Sequence, residues 1–239
     1  MGYAPKATSR SDRYLVNVEQ YAQYHGKGYL KVSGLLSQED VVRLRDWEDD
    51  MYTGRIPVKG LDPVDPATAT EEDLLKRYTK SRVHMLHSHD QTAEWGLLHP
   101  RVLDVVEAIV GPDVLALQSM VFFNPPGKGG QGWHQDSFYI RTFPDTLVGA
   151  WIALDEVDEQ NGCLWVAPGS HAEPIYPPKV EGPLNDGAMH AEGAFADLFF
   201  NSTASNMNDE VNELAKVSRK YLPLVPAIMK PGDVLFFHS

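Results

Sequence analysis

The first third of the chain carries the three-to-four-residue hydrophobic spacing of amphipathic helices. This spacing predicts a helix over residues 16–25, which glycines end, and another over Pro100–Val110, which starts with proline and is followed by glycine. Ser37 with Asp40 three residues later has the form of an approximate capping box, so a further helix is predicted from there to about Tyr52. The pattern indicates a helix-rich N-terminal part.

Two stretches between these helices have other patterns. Residues 28–36 are typical of a short strand followed by a turn. Residues 55–75 contain several prolines and acidic residues but few apolar ones, so we expect a loop there.

From Asp113 onward, short β-rich runs replace the helical spacing. Turn signals separate them, among them Pro125-Pro126-Gly127 and Pro231-Gly232. Strands are predicted over residues 114–124, 132–140, 147–154, 163–167, 224–229 and 234–237. Many short strands with glycine and proline turns indicate a sandwich or barrel, so the predicted fold class is mainly β with flanking helices.

A long polar segment over residues 171–222, with a helical piece near 208–220, interrupts the strand pattern. Insertions of this length within a β domain are often functional, and we interpret this one as a lid over a pocket. We expect a single domain over residues 1–239, with a helical buttress at about 14–112 and the β core at about 113–239.

Composition narrows the class of protein. The formal net charge of −12 argues against a broad surface for phosphate backbones, so no nucleic-acid partner is expected. No apolar run approaches the roughly 18 residues of a membrane span, and residues 1–6 lack the apolar core of a secretory signal, so we expect no membrane partner and a cytoplasmic location. Cys163 is the only cysteine, which excludes an intramolecular disulfide and favours a small core residue.

His134-Gln135-Asp136 is the most informative motif. Residues i and i+2 of a strand share a face, so His134 and Asp136 would both project into the barrel. One imidazole and one carboxylate supply two of the three ligands of the facial triad, which leaves open positions on Fe(II). The alternative is a surface histidine beside a solvated aspartate.

Several motifs that occur in order give this pair its context. They are His99-Pro100-Arg101-Val102-Leu103, Met120, Asn124-Pro125-Pro126-Gly127, Gly132-Trp133-His134-Gln135-Asp136, Trp151-Ile152-Ala153-Leu154, residues 161–171 (NGCLWVAPGSH) and residues 231–238 (PGDVLFFH). Together they resemble the phytanoyl-CoA dioxygenase family of Fe(II)/2-oxoglutarate oxygenases, from about Tyr21 to the last residue. The resemblance implies a double-stranded β-helix, the cupin-like jelly roll.

The resemblance implies Fe(II) as the metal, 2-oxoglutarate as the co-substrate, and roles for particular residues. His134 and Asp136 match the first two iron ligands. Met120 and Trp151 match positions that line the 2-oxoglutarate pocket, and Gln135 lies beside it. A basic residue upstream also contacts the co-substrate, for which Lys80 is the candidate and Arg82 the alternative. From the residues alone, Met120 and Trp151 would be core residues, and both cations would be solvated.

The resemblance also places a third ligand, a histidine, a few residues past the strand that ends the sequence. An arginine that binds the distal carboxylate of 2-oxoglutarate follows it in the family. Both would fall beyond Ser239, so we expect the C-terminal part of the fold there. His238 matches a family position before the ligand and is a weak substitute for it.

Other histidines suggest a polar wall for the pocket. His87 and His89 would share a face on a strand, and His84 and His87 would do so on a helix. We expect these residues to line the substrate side of the pocket, the alternative being surface histidines. His171, in the turn after the sheet, is expected to be structural.

The predicted function is hydroxylation or a related oxidation of a small organic substrate with O₂, giving succinate and CO₂ as co-products. The carboxylate at Asp136 favours oxygen transfer over halogen transfer, because halogenating relatives carry a small residue there. The alternatives are a non-catalytic jelly-roll binding protein and a metal-dependent cupin isomerase or hydrolase. Substrate identity and oligomeric state stay open, because fold-level resemblance carries class and not substrate.

Overall fold

The computed structural model of the protein describes residues 10–58, 63–79, 83–123, 130–176 and 213–238. The helices in these ranges are α1 (Val18–Lys27), α2 (Gln38–Tyr52), α3 (Glu71–Thr79), α4 (Gln91–Leu97), α5 (Pro100–Val110), α6 (Asp136–Tyr139) and α7 (Glu213–Ser218). The strands are β1 (Tyr29–Val32), β2 (Val83–His84), β3 (Met120–Val121), β4 (Val148–Ile152), β5 (Trp165–Val166), β6 (Val225–Pro226) and β7 (Val234–His238).

The largest described sheet has β7 at its centre. β1 and β4 flank it, both antiparallel to it, with Leu30 and Ala150 on either side of Phe236. The two flanking strands come from distant parts of the sequence. The helix-rich N-terminal part therefore supplies an edge of the same sheet as the β-rich part.

Helices cover one face of this sheet. Leu30, Val234 and Phe236 point to this face and form one buried cluster with residues of α1, α2 and α5. The helical residues in the cluster are Tyr24, Val41, Leu44, Val102, Val105 and Ile109. The N-terminal helices therefore cover one face of the main sheet, and the expected division into a buttress at about 14–112 and a β core at about 113–239 stays a prediction.

The other face of the sheet packs against the two-stranded sheet of β5 and β6. Leu235 belongs to a second buried cluster on this side, and Trp151 and Val166 pack against it. A bridge between Val157 and Met229 extends the contact. The core is therefore layered as helices, sheet and sheet, with β2 and β3 pairing separately.

The predicted helices with clear capping signals are confirmed. The Ser37 side chain accepts from the Asp40 amide, and the Asp40 carboxylate accepts in return from the Ser37 amide, so α2 begins with a full capping box. α1 begins two residues later than predicted and passes through Gly26 to end at Gly28, which is left-handed at φ 77°. The predicted strands at 28–36, 147–154 and 234–237 are present as β1, β4 and β7.

Two predictions of local structure are wrong. Residues 132–140 are not a strand, because α6 occupies Asp136–Tyr139 and contacts from distant residues hold this turn. The expected loop at 55–75 ends early, because a capping box starts α3: the Thr70 hydroxyl and backbone N–H donate to the Asp73 carboxylate, and the Thr70 hydroxyl accepts from the backbone N–H of Asp73. Of the strand predicted over 114–124, β3 is the part that pairs among the described residues. Helix α4 was not predicted.

Further composition-based expectations concern Cys163 and membranes. Cys163 is buried, as a small core residue would be. In the ranges that the structure describes, no helix is both long and apolar enough to cross a bilayer.

Glu48 on α2 gives the fold a pH dependence. Burial, together with the nearby carboxylates of Asp155 and Asp49, raises the pKa of Glu48 to about 7. A raised pKa in the folded state means that stability is complete below the ordinary pKa near 4.5 and falls as pH rises through about 7. Glu48→Gln should therefore raise the free energy of unfolding by about 2 kcal/mol at pH 8 and change it little at pH 4.

Urea unfolding at both pH values measures this difference. Asp46→Asn, at an exposed position of the same helix, is the control. An equal change in the free energy of unfolding at pH 4 and pH 8 in Glu48→Gln would contradict the raised pKa of Glu48.

Candidate metal centre

His134 and Asp136 come together where an extended segment turns into α6. His134 Nε2 lies 3.2 Å from Asp136 Oδ1, and the two side chains are 25% and 34% exposed. Asp136 begins the helix, where a carboxylate is favoured by the unpaired amides of the first turn. The pair predicted from the His-x-Asp spacing is thus close in space, although the strand that was expected to carry it is absent.

The other ring nitrogen of His134 is already engaged. Nδ1 lies 2.8 Å from the carbonyl oxygen of Gly132, and a carbonyl only accepts, so Nδ1 carries the proton in this contact. With Nδ1 protonated, the neutral tautomer of the ring leaves the lone pair of Nε2 for a metal ion. A backbone carbonyl on the distal nitrogen is a common way to fix the tautomer of a metal-ligating histidine.

The donor set fits a divalent first-row metal ion. Two ligand atoms at right angles, each about 2.1 Å from one ion, lie about 3 Å apart, close to the 3.2 Å between Nε2 and Oδ1. An imidazole and a carboxylate also suit non-haem Fe(II). In the part of the chain that the structure describes, no group of three or more histidine, cysteine, aspartate or glutamate side chains could hold a metal ion, and His134 with Asp136 is a pair of candidate ligands.

Gln135, between the two candidate ligands, binds the segment at the start of the 171–222 insertion. Its amide nitrogen donates to the carbonyl of Pro174 at 3.0 Å, and its amide oxygen accepts from the backbone N–H of Tyr176 at 2.9 Å. The side chain therefore pairs with backbone as a strand residue would. Its expected place beside the co-substrate stays a prediction.

Glu173 joins the two described ends of the insertion. Its carboxylate accepts from the hydroxyls of Tyr176 and Tyr221, the latter at 2.6 Å, and lies 3.6 Å from Lys220 Nζ. These hydrogen bonds, more than the nearby ammonium, hold the pKa of Glu173 below its usual value. Sequence reasoning missed this residue, since an acidic side chain before a proline carries no local signal for a partner 48 residues away.

Met120 and Trp151, the expected co-substrate residues, lie in different sheets. Met120 is on β3 opposite His84 of β2, and Trp151 is on β4 opposite Leu235. Both are half-buried, and Trp151 packs against the inner cluster of the core. Their roles in binding stay predictions, and Lys80 and Arg82 lie outside the described residues.

The His84–His89 region adopts neither of the two shapes considered. β2 ends at His84, and a 3-10 turn follows over Leu86–Ser88. His87 Nδ1 lies 2.7 Å from the hydroxyl of Ser119, and His84 Nδ1 lies 3.4 Å from the amide of Gln118. These histidines are thus fixed against the segment that leads into β3, and His89 is exposed.

His171 and His238 sit on the helix side of the main sheet. His171 Nε2 lies 3.0 Å from the carbonyl of His25, and a side chain at Gly28 would collide with the His171 ring at 2.6 Å, which fits a structural role. The His238 ring lies 5.7 Å from the His171 ring. Alternation along β7 puts His238 on the face opposite Trp151, so the geometry does not favour His238 as a substitute ligand.

Solved structures show which fold the chain shares. EctD from S. alaskensis, solved with 2-oxoglutarate and 5-hydroxyectoine, matches with a TM-score of 0.62 and 19% identity over 93% of this chain and 67% of that one. The epimerase SnoN, solved with Fe³⁺, α-ketoglutarate and nogalamycin RO, matches with a TM-score of 0.56 and 19% identity over 92% of this chain and 73% of that one. The fold is therefore that of non-haem, α-ketoglutarate-dependent enzymes.

The chain belongs to the phytanoyl-CoA dioxygenase (PhyH) family, whose family model matches residues 24–239. The peroxisomal phytanoyl-CoA dioxygenase of Bos taurus is 29% identical over 233 residues, which cover 94% of this chain. The match covers 62% of the bovine protein, so the chain spans about three fifths of the length of the curated relatives it matches. The family predicted from the motifs is confirmed.

The Glu173 contacts should protect the backbone that binds Gln135. Glu173→Ala removes the acceptor for both tyrosine hydroxyls, so hydrogen exchange of the Tyr176 amide should become about 10-fold faster, a loss of ~1.4 kcal/mol of local stability. Hydrogen exchange with residue resolution measures this rate. Glu159→Ala, at an exposed turn position, is the control, and an unchanged Tyr176 rate in Glu173→Ala would contradict the role.

Proposed function

We propose that the protein is a non-haem Fe(II)/2-oxoglutarate-dependent dioxygenase that hydroxylates or otherwise oxidises a small organic substrate. The observation that carries this proposal is the pairing of His134 Nε2 with Asp136 Oδ1 at 3.2 Å, with the opposite ring nitrogen already bound to a carbonyl. Membership of the family and the shared fold supply the class of chemistry.

Within this proposal, His134 and Asp136 are two of the residues that hold the iron. Bound iron and 2-oxoglutarate supply the activation of O₂, with succinate and CO₂ as co-products. The chain's own contribution is to fix the two ligands: Gly132 sets the tautomer of His134, and Gln135 holds the turn between the ligands against Pro174 and Tyr176. Met120, Trp151 and Lys80, or Arg82 in place of Lys80, are proposed for the co-substrate.

The proposal also covers the type of β fold and the position of the insertion. Two sheets packed face to face, with helices behind the larger one, are what a cupin-like double-stranded β-helix with a helical buttress would give. We infer that residues 113–239 form that core and that 171–222 is an insertion next to the site. Support for the second point is the contact of Gln135 with Pro174 and Tyr176 at the start of the insertion.

Oxygen transfer rather than halogen transfer follows from Asp136. A carboxylate that occupies a metal position leaves less room for a halide ion on the iron. We name no substrate more specific than a small organic molecule, because the names of the relatives specify different substrates. A cytoplasmic location stays a prediction, since the bovine relative is named as peroxisomal.

The full-length protein should convert 2-oxoglutarate to succinate when Fe(II) is added. His134→Ala and Asp136→Ala should each lower that rate more than about 100-fold, since loss of supporting contacts alone can cost 10–100-fold in metal affinity or activity. Succinate formation under air, with and without Fe(II), measures the effect. His25→Ala, an exposed histidine on α1, should keep the wild-type rate.

Two outcomes would change the proposal. An Asp136→Ala variant with wild-type turnover would remove Asp136 from the metal centre. Iron bound in a His134-dependent way, without any succinate across a substrate panel, would favour a non-catalytic binding protein of the same fold.

A further inference from the structure

Ser137 follows Asp136 directly and is completely buried. Its relative exposure is 0%, and its hydroxyl donates to Asp145 Oδ1 at 2.8 Å. Asp145 lies in the loop after α6 and is itself exposed. A loop of eight positions is thus closed onto the residue next to a candidate metal ligand.

The burial of the Ser137 hydroxyl calls for a physical explanation. A buried hydroxyl costs free energy unless it is hydrogen-bonded, and an apolar residue would fill the same space without a partner. The acceptor here is a carboxylate, and hydrogen bonds to charged acceptors are roughly twice as strong as neutral ones. The bond between Ser137 and Asp145 is therefore a specific constraint on the first turn of α6.

α6 is a single turn of helix, and the side chain of Tyr139 at its end is also buried. It spans four residues, and its backbone hydrogen bonds run from Phe138 to Gln135 and from Ile140 to Asp136. A single turn is marginal without contacts from outside it. The side chain of Gln135 anchors the turn on one side of Asp136, and the side chain of Ser137 anchors it on the other.

We propose that Ser137 and Asp145 are positioning residues for the metal centre: their hydrogen bond fixes the backbone at Asp136 and so aims its carboxylate at the ion beside His134 Nε2. Neither residue contacts the ion in this arrangement. The inference rests on the proposed function, because it assumes that His134 and Asp136 hold a metal. Contacts of this indirect kind commonly change metal affinity by 10–100-fold.

The test compares two substitutions at the exposed end of the bond. Asp145→Ala removes the acceptor, whereas Asp145→Asn removes the charge but keeps an oxygen that can accept from Ser137. Because both lose the charge, their difference isolates the hydrogen bond. Mn(II) titration of the full-length protein, followed by the electron paramagnetic resonance of the free ion, gives the metal dissociation constant, and thermal unfolding of the metal-free protein reports on the fold.

We expect Asp145→Ala to weaken Mn(II) binding about 10-fold and Asp145→Asn to stay within about 2-fold of wild type, with similar unfolding temperatures for both metal-free variants. Ser137→Ala should weaken binding at least as much as Asp145→Ala, because it removes the donor of the same bond, and the two effects should be less than additive in the double variant. The Fe(II)–2-oxoglutarate charge-transfer absorption of the wild type should be kept in Asp145→Asn and reduced in Asp145→Ala.

Two results overturn the inference alone: wild-type Mn(II) affinity in Asp145→Ala, or equal weakening in Asp145→Ala and Asp145→Asn, which would make the effect one of charge. His134→Ala is titrated in parallel. If the wild type shows no binding that depends on His134, the proposed function fails, and this inference fails with it.

Discussion

Burial of β7 on both faces is the constraint on which the rest of the fold depends. Val234, Leu235 and Phe236 are all 1% exposed or less, which a strand can achieve only when each face of its sheet is covered. The helices cover the face of Val234 and Phe236, and the second sheet covers the face of Leu235. Gly149 follows from the same constraint, because a Cβ there would meet the Phe237 ring at 2.3 Å.

Elements whose signals are local could be predicted from the sequence. The capping box at Ser37, the proline at the start of α5 and the apolar run of β7 each act through neighbours in the chain, so a window of a few residues contains their cause. The closeness of His134 and Asp136 was predicted as well, although from a strand that the structure does not contain. Thr70 and Asp73 show that a local signal can also be overlooked in a stretch rich in prolines.

The turn at α6 could not be predicted, because its causes lie elsewhere in the sequence. Phe138 and Tyr139 favour a strand by propensity, yet the partners that hold their segment are Asp145, Pro174 and Tyr176. Such tertiary contacts override a weak local preference. The binding roles of Met120 and Trp151 could not be predicted from the residue pattern either, because a half-buried apolar residue gives the same pattern whether it packs in a core or lines a pocket.

Because His134 and Asp136 lie on a turn and not on a strand, different contacts hold their side chains in place. On a strand, ladder hydrogen bonds to both neighbours would fix the two side chains without help from their own residues. Here the fixing is done individually: Gly132 orients the His134 ring, Gln135 ties the turn to the insertion, and Ser137 ties it to Asp145. Through Gln135, Tyr176 and Glu173, the turn that carries His134 and Asp136 is linked to both described ends of the 171–222 insertion.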